Sequence, residues 1–224
     1  MAQPITFDHA QARQELRQAY IDSLDLGPMR MNIASVVYFP YCDEDFLFDS
    51  KTAMEVLFHD AELPRLNIYG NAFEDWKEAD FLSSLIDHEL THVQQWISPE
   101  TRNAVLLPTR LIKRINDCRE SRNWTRRRLD GTVRSYQLAI SLLEAAMEIP
   151  AYTHQITDGV YAKKVSNYRV EEIRYILSKY SALTEAVRST TGLTPESIVD
   201  DTDSACRILK LNVKTIDHAI RGEY

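Results

Sequence analysis

Apolar residues recur at helical spacing along most of this chain and at strand-like spacing only near its beginning. Over 75–97 they fall on one stripe of an amphipathic helix, at Leu82, Ile86, Leu90 and Val93, and Pro99 follows as a stop. Similar patterns predict further helices over 8–24, 101–122, 132–153, 167–190 and 203–221. We expect breaks between helices at Pro108, Gly131, Gly159 and Gly192–Pro195.

The segments 32–39 and 65–70 are rich in β-branched and aromatic residues and are bounded by proline or glycine, so they are predicted to be strands. A further extended piece is predicted at 45–49 and a short helix at 51–58. The pattern therefore predicts an α+β fold, with a small N-terminal β-sheet at about 30–70 and a mainly helical body at about 75–221. A length of 224 residues suits a single domain over 1–224.

Composition narrows the classes of function. The net charge of −7 argues against nucleic-acid or anionic-membrane binding by the whole surface. Cys42, Cys118 and Cys206 are isolated from one another, which favours reduced thiols over a disulfide framework. The beginning of the chain lacks a signal-peptide pattern and no apolar run could span a bilayer, so we expect a cytoplasmic protein, with signal-less export left open.

The segment 85–96 reads LIDHELTHVQQW and contains the pattern H-E-x-x-H. Positions i and i+4 share one face of a helix, so the imidazoles of His88 and His92 can point at one metal ion. Glu89 would lie beside that ion, where it can act as a general base. The apolar stripe lies on the other side of the helix, so the polar side chains are predicted to face a cleft. The alternative is three surface polar residues on a solvated helix.

A third ligand is predicted from 141–155, because a catalytic zinc site usually has three protein ligands. There Glu144 and Glu148 lie four residues apart in an otherwise apolar helix. Burial of two carboxylates is costly unless they are paired or bound to a cation, and a metal ion is the natural partner. These residues alone leave the choice between Glu144 and Glu148 open.

Two motifs carry a resemblance to a known group. HELTHVQQ at 88–95 is similar to the H-E-x-x-H-V-x-Q form of zincin metallopeptidases, and EIPAY at 148–152 resembles the downstream E-x-x-A of the gluzincin type. The resemblance implies a zincin-like domain that uses Zn²⁺ to hydrolyse a protein or peptide substrate. It implies that His88, His92 and Glu148 are the zinc ligands and that Glu89 is the general base.

The chain departs from that group at Tyr152, where gluzincins often have an Asp that supports the first zinc histidine. A second register therefore stays open, with Glu144 as ligand and Glu148 as support. Tyr152 is also our candidate donor to the oxyanion of the transition state, ahead of Tyr136, His154 and Tyr161. The segment 65–73 is a candidate edge strand for binding an extended peptide, although it could equally be a plain structural strand.

The segment 110–134 holds nine basic residues against three acidic ones. Such a segment could bind an acidic partner, an acidic part of a substrate or a nucleic acid. The alternative is a helical arm whose arginines pair with the acidic remainder of the chain, and the lack of a repeated pattern of aromatic residues among the basic ones disfavours nucleic acid. Two functions therefore compete with a zinc peptidase. One is a zincin-fold binding protein without catalysis, and the other is binding of a nucleic acid or acidic partner through 110–134.

Overall fold

The computed structural model describes residues 9–24, 26–39, 53–58, 62–73, 79–120, 126–159 and 162–221. Its helices are α1 (His9–Asp22), α2 (Ala79–Ile97), α3 (Pro99–Glu120), α4 (Arg126–Thr157), α5 (Asn167–Thr191), α6 (Pro195–Asp200) and α7 (Thr202–Arg221). Its strands are β1 (Ser35–Phe39), β2 (Met54–Leu57) and β3 (Arg65–Tyr69). The expected α+β class, mainly helical with a small sheet near the N-terminus, is therefore confirmed.

The sheet has the order β1-β3-β2. β3 pairs in parallel with β1, with Val37 opposite Asn67, and antiparallel with β2, with Glu55 opposite Asn67. Because both edges of β3 are occupied, the proposal that 65–73 binds a substrate as an edge strand is wrong. The helix predicted over 51–58 is also wrong, since 54–57 forms β2. A short apolar run is compatible with either structure, and pairing with β3 decides it. The extended piece predicted at 45–49 lies outside the described residues.

The helix predictions agree closely with the structure where it is described, and local capping explains several ends. The side chain of Ser166 accepts a hydrogen bond from the backbone N–H of Arg169 at the start of α5, and Gly192 ends that helix with φ +73°. Thr194 and Ser197 form a capping box on α6, a short helix that the hydrophobic pattern did not predict.

Two of the four predicted breaks are wrong, because Pro108 lies inside α3 and Gly131 lies inside α4. Proline costs a helix interior about 3 kcal/mol and glycine about 1 kcal/mol relative to alanine, and tertiary packing can outweigh both. Pro108 is buried. Gly131 lies against α7, where a Cβ atom would be 3.7 Å from the Cε atom of Lys210. The break at Gly159 is confirmed, since α4 ends at Thr157.

The buried apolar side chains form two main clusters. The N-terminal core joins the sheet to one face of α2, with Leu66 and Ile68 of β3 packed near Ile86 and Val93. The C-terminal core joins α3, α4, α6 and α7 to the end of α5, and Leu138, Leu142 and Leu143 of α4 lie at its centre. α4 also packs along α2, so this one helix belongs to the C-terminal core and also contacts the helix that carries H-E-x-x-H.

Two further findings concern the membrane and the thiols. Each helix in the described part of the chain is too short or too polar to cross a lipid bilayer. Cys118 and Cys206 are free thiols, as predicted, and burial raises the pKa of Cys206 to about 11. Cys42 lies outside the described residues.

Candidate metal centre

Helices α2 and α4 run in opposite directions and meet along a row of polar side chains, which we call the seam. At one end the Nε2 group of Gln155 donates to the Oγ atom of Ser84 at 3.0 Å. At the other end the Nε2 group of Gln95 donates to the carbonyl oxygen of Met147 at 2.9 Å. The two histidines and Glu148 lie between these hydrogen bonds. The seam therefore sets the distance between the two helices on both sides of the candidate site.

The structure brings His88, His92 and Glu148 together, and they are the group of potential metal ligands found among the described residues. The Nε2 atoms of His88 and His92 lie 3.1 Å apart. The carboxylate oxygens of Glu148 lie 3.3 Å from the Nε2 atom of His88 and 3.4 Å from that of His92. Ligand atoms about 2.0–2.1 Å from a tetrahedral metal ion are roughly 3.3 Å apart, so this group could hold a metal ion.

The geometry favours one of the two glutamates as the third candidate ligand. Glu148 belongs to the ligand cluster, whereas Glu144 does not. Burial raises the pKa of Glu144, and the nearby charge of Glu148 raises it further. Glu144 therefore lies close to the site without contributing a ligand atom to it.

The half-buried Glu148 and the buried His92 form an acid–base pair. Burial by itself raises the pKa of Glu148, but hydrogen bonds and charge interactions with His88 and His92 outweigh burial and lower this pKa to about 2. For His92 the signs are reversed. Burial lowers its pKa, but the hydrogen bond to Glu148 and the charges of Glu148 and Glu89 outweigh burial and raise this pKa to about 9. Each partner therefore stabilises the charged form of the other, as a cation would stabilise the carboxylate.

His88, Glu89 and His92 are all buried, with 5%, 6% and 8% of their surfaces exposed. His88 and His92 contact Glu148 of α4 and Glu89 is buried beside them, so the alternative of surface residues on a solvated helix is wrong. Burial raises the pKa of Glu89, the two histidines oppose that shift, and Glu148 and Glu55 add to it. A carboxylate whose pKa is raised is a stronger base and therefore better suited to accept a proton.

Tyr152 lies against the site, with its ring centroid 4.4 Å from that of His88 and the two rings tilted by 55°. Burial raises the pKa of Tyr152, as does the charge of Glu148, so its hydroxyl stays protonated at neutral pH and can donate a hydrogen bond. The buried Nδ1 atom of His88 has no hydrogen-bond partner among the described residues. Tyr152 therefore packs on the first histidine without replacing the hydrogen bond of the gluzincin Asp.

The other oxyanion candidates have different outcomes. Tyr136 packs on the C-terminal core, and the pKa of its hydroxyl is raised first by burial and then by Cys118 and Cys206, so it belongs to a different part of the molecule. The carbonyl oxygen of His154 accepts a hydrogen bond from the backbone N–H of Gly159, which closes the end of α4. Tyr161 lies outside the described residues.

Sequence reasoning missed several side chains around the site. Gln95 ends the HELTHVQQ motif but was given no role there; it contacts His92, with its Oε1 atom 3.0 Å from the Nδ1 atom, and its position three residues after His92 was a usable signal. Tyr180 of α5 has its pKa raised to about 12 by burial and by the charges of Glu148 and Glu144, which places it near them. No local pattern pointed to it, because α5 is distant in sequence.

A polar cluster on the sheet was also missed. The carboxylate of Glu55 on β2 accepts hydrogen bonds from the Tyr69 hydroxyl and, at 3.0 Å, from the Nδ2 group of Asn67, both on β3. Its charge contributes to the raised pKa of Glu89, so this cluster lies on the sheet side of the site. The strand pairing that assembles it could not be predicted once 51–58 was taken as a helix.

The basic segment makes ion pairs within the chain. Arg114 of α3 lies 2.6 Å from Asp203 of α7, and Arg134 of α4 pairs with Asp217, also on α7. These contacts are what the intramolecular alternative predicts for these two arginines. Binding of an acidic partner or a nucleic acid by 110–134 therefore stays a prediction.

Comparison with known proteins adds no family to this picture. The chain matches no protein-family model, no curated protein and no solved structure. The chemistry of the site therefore has to be argued from its own residues.

Proposed function

We propose that this chain is a zinc-dependent peptidase, in which His88, His92 and Glu148 hold the metal ion and Glu89 is the general base. The observation that carries the proposal is the cluster of three side chains between α2 and α4. Its two imidazole Nε2 atoms lie 3.1 Å apart, and each lies 3.3–3.4 Å from a different carboxylate oxygen of Glu148. Two imidazole nitrogens and a carboxylate oxygen are a common ligand set of catalytic zinc, with a fourth position left for water.

Burial strengthens the proposal. Burying a carboxylate and two imidazoles between helices costs free energy unless something binds them. Of these three groups, His88 and His92 are almost fully buried. Glu89 is enclosed with them although it is not needed as a ligand. A purely structural zinc site gives no reason to bury this additional acid, whereas hydrolysis does.

Zinc, when bound, supplies a Lewis acid that lowers the pKa of a water and polarises the substrate carbonyl. Glu89 accepts a proton from the attacking water as the new carbon–oxygen bond forms. It then donates that proton to the departing amine as the carbon–nitrogen bond breaks. The Tyr152 hydroxyl, which stays protonated, donates a hydrogen bond to the oxyanion.

The test combines metal analysis with hydrolysis of fluorescently labelled casein. We expect about one zinc per chain in the wild type and loss of zinc in His92→Ala and Glu148→Ala. Glu89→Gln should keep the metal and lose about 10²–10⁴-fold in rate. Glu144→Gln is the matched control for Glu148, one helical turn away, and should keep its zinc.

Each alternative has its own outcome. A wild-type chain that stays metal-free in zinc-containing buffer would refute the zinc site. Zinc binding without hydrolysis of casein, or hydrolysis unaffected by Glu89→Gln, would refute the peptidase and leave a zinc-binding protein. Loss of zinc in Glu144→Gln together with retention in Glu148→Ala would reverse the ligand assignment.

A further inference from the structure

We infer that Gln95 is a positioning residue that fixes His92 in the tautomer needed to bind a metal ion and ties it to the helix that supplies Glu148. The inference rests on the proposed zinc site and assigns it a residue outside H-E-x-x-H and E-x-x-A. Gln95 lies in the last turn of α2, on the seam with α4.

The orientation of the Gln95 amide follows from its partner on α4. A backbone carbonyl oxygen can only accept a hydrogen bond, so the group 2.9 Å from the Met147 oxygen must be the amide NH₂. The Oε1 atom of Gln95 is then the atom that faces the Nδ1 atom of His92, at 3.0 Å. The contact with Met147 therefore excludes the flipped amide.

The tautomer of His92 follows from the orientation of the amide. An amide oxygen only accepts, so the Nδ1 atom of His92 carries the hydrogen. In the neutral imidazole the Nε2 atom then bears the lone pair, and this is the atom that faces His88 and Glu148. The chain of hydrogen bonds thus leaves the metal-facing nitrogen of His92 free to be a ligand.

The Gln95 side chain also fixes the position of α4 relative to α2. Met147 directly precedes Glu148, so the hydrogen bond from Gln95 holds the backbone of α4 next to the third ligand. His88 differs from His92, since its Nδ1 atom has no hydrogen-bond partner among the described residues. Gln95 therefore orients His92, whereas His88 is packed against the ring of Tyr152.

Two substitutions separate these contributions. Gln95→Met keeps the approximate size and removes both hydrogen bonds. Gln95→Glu keeps an acceptor for the Nδ1–H group, but it replaces the donor to Met147 with a carboxylate oxygen and adds a negative charge. Gln94→Met is the matched control, because Gln94 is the exposed neighbour on the same helix. Zn²⁺ dissociation constants are measured by competition with a chromophoric chelator, and the coordination geometry is monitored by the visible spectrum of the Co²⁺-loaded chain.

We expect Gln95→Met to weaken Zn²⁺ binding about 10–100-fold and to alter the Co²⁺ spectrum. Gln95→Glu should bind Zn²⁺ more tightly than Gln95→Met, since it still orients His92. Gln94→Met should stay within about twofold of the wild type, with an unchanged spectrum. This order would support orientation of the ligand rather than a general loss of helix packing.

Contrary results are distinguishable from failure of the zinc site itself. If His92→Ala abolishes Zn²⁺ binding but Gln95→Met binds as tightly as the wild type, the role of Gln95 is refuted and the zinc site stands. If Gln95→Glu is no better than Gln95→Met, orientation through the Nδ1–H group is refuted. A wild type that binds neither ion would overturn both proposals.

Discussion

The two halves of α4 differ in what they bury. In the first half, taken here as 126–143, Leu138, Leu142 and Leu143 are at most 2% exposed and pack among apolar side chains of the C-terminal core. In the second half, Glu148 and Gln155 face α2 and exchange hydrogen bonds or charges with it. One continuous helix thus joins an apolar interface to a polar one.

The difference shows how the site is supported energetically. Full burial of a leucine side chain stabilises the fold by about 1.5–3 kcal/mol, with no requirement for a particular partner. Burial of a carboxylate is unfavourable unless a partner or cation compensates for its lost hydration. We therefore expect the first half of α4 to provide stability and the second half to be stable only with its partners in place. Three experiments test this contrast.

The largest effect is expected in the apolar half. Leu138→Ala should lower the free energy of unfolding by about 2–5 kcal/mol, because it leaves a cavity in the C-terminal core. The measurement is urea denaturation in the presence of a chelator. Leu211→Ala is the matched control, since Leu211 is 86% exposed on α7, and it should cost less than about 0.5 kcal/mol. Equal losses in the two variants would contradict the assignment of Leu138 to the core.

A smaller effect is expected from the charged pair in the polar half. The pKa of His92 is raised from 6.5 to about 9, so protonation stabilises the metal-free fold below pH 6.5, and this stabilisation is lost as the pH rises toward 9. The pKa of Glu148 is lowered from 4.5 to about 2, so its contribution is present above pH 4.5 and is lost as the pH falls toward 2. Both shifts include the interaction between Glu148 and His92, to which His88, Glu89 and Gln95 add further contributions, so we assign the pair itself a stabilisation on the order of 2 kcal/mol.

Urea denaturation of the chelated chain at several pH values measures this contribution. We expect the free energy of unfolding to fall between pH 6.5 and 9 in the wild type and in Glu144→Gln. Glu148→Gln should lose this dependence, because it removes the charge that raises the pKa of His92. A free energy that rises over this range, or a dependence retained in Glu148→Gln, would contradict the pairing. Zinc affinity should rise over the same range, since the metal competes with the proton on His92.

The smallest effect is expected at the hydrogen bond between Ser84 and Gln155. Ser84→Ala and Gln155→Leu should each cost about 1 kcal/mol, because each leaves a buried polar partner without this bond. The double variant should cost less than the two single losses combined, as a double-mutant cycle by urea denaturation would measure. Gln137→Leu is the control on the exposed side of α4. Additive losses would show that the bond does not couple the two helices.

The sequence predicted the site better than the sheet. The spacing of His88 and His92 indicates a shared face wherever the segment is helical, and α2 is helical across both. Glu148 was proposed from the cost of burying a carboxylate together with the E-x-x-A resemblance, and the structure brings it to the two histidines. The prediction that β3 lies at an edge of the sheet was wrong, because the pairing partners of a strand are not encoded in its own residues.

What the sequence determined by itself is local. Helical periodicity, caps and the i, i+4 relation depend on neighbouring residues, and these placed His88, Glu89 and His92 on one turn of α2. Only the tertiary structure decided that Glu148 rather than Glu144 meets them, that 54–57 forms a strand and that Gln95 contacts both His92 and α4. The physical reason is that packing between distant segments selects among local conformations of similar free energy.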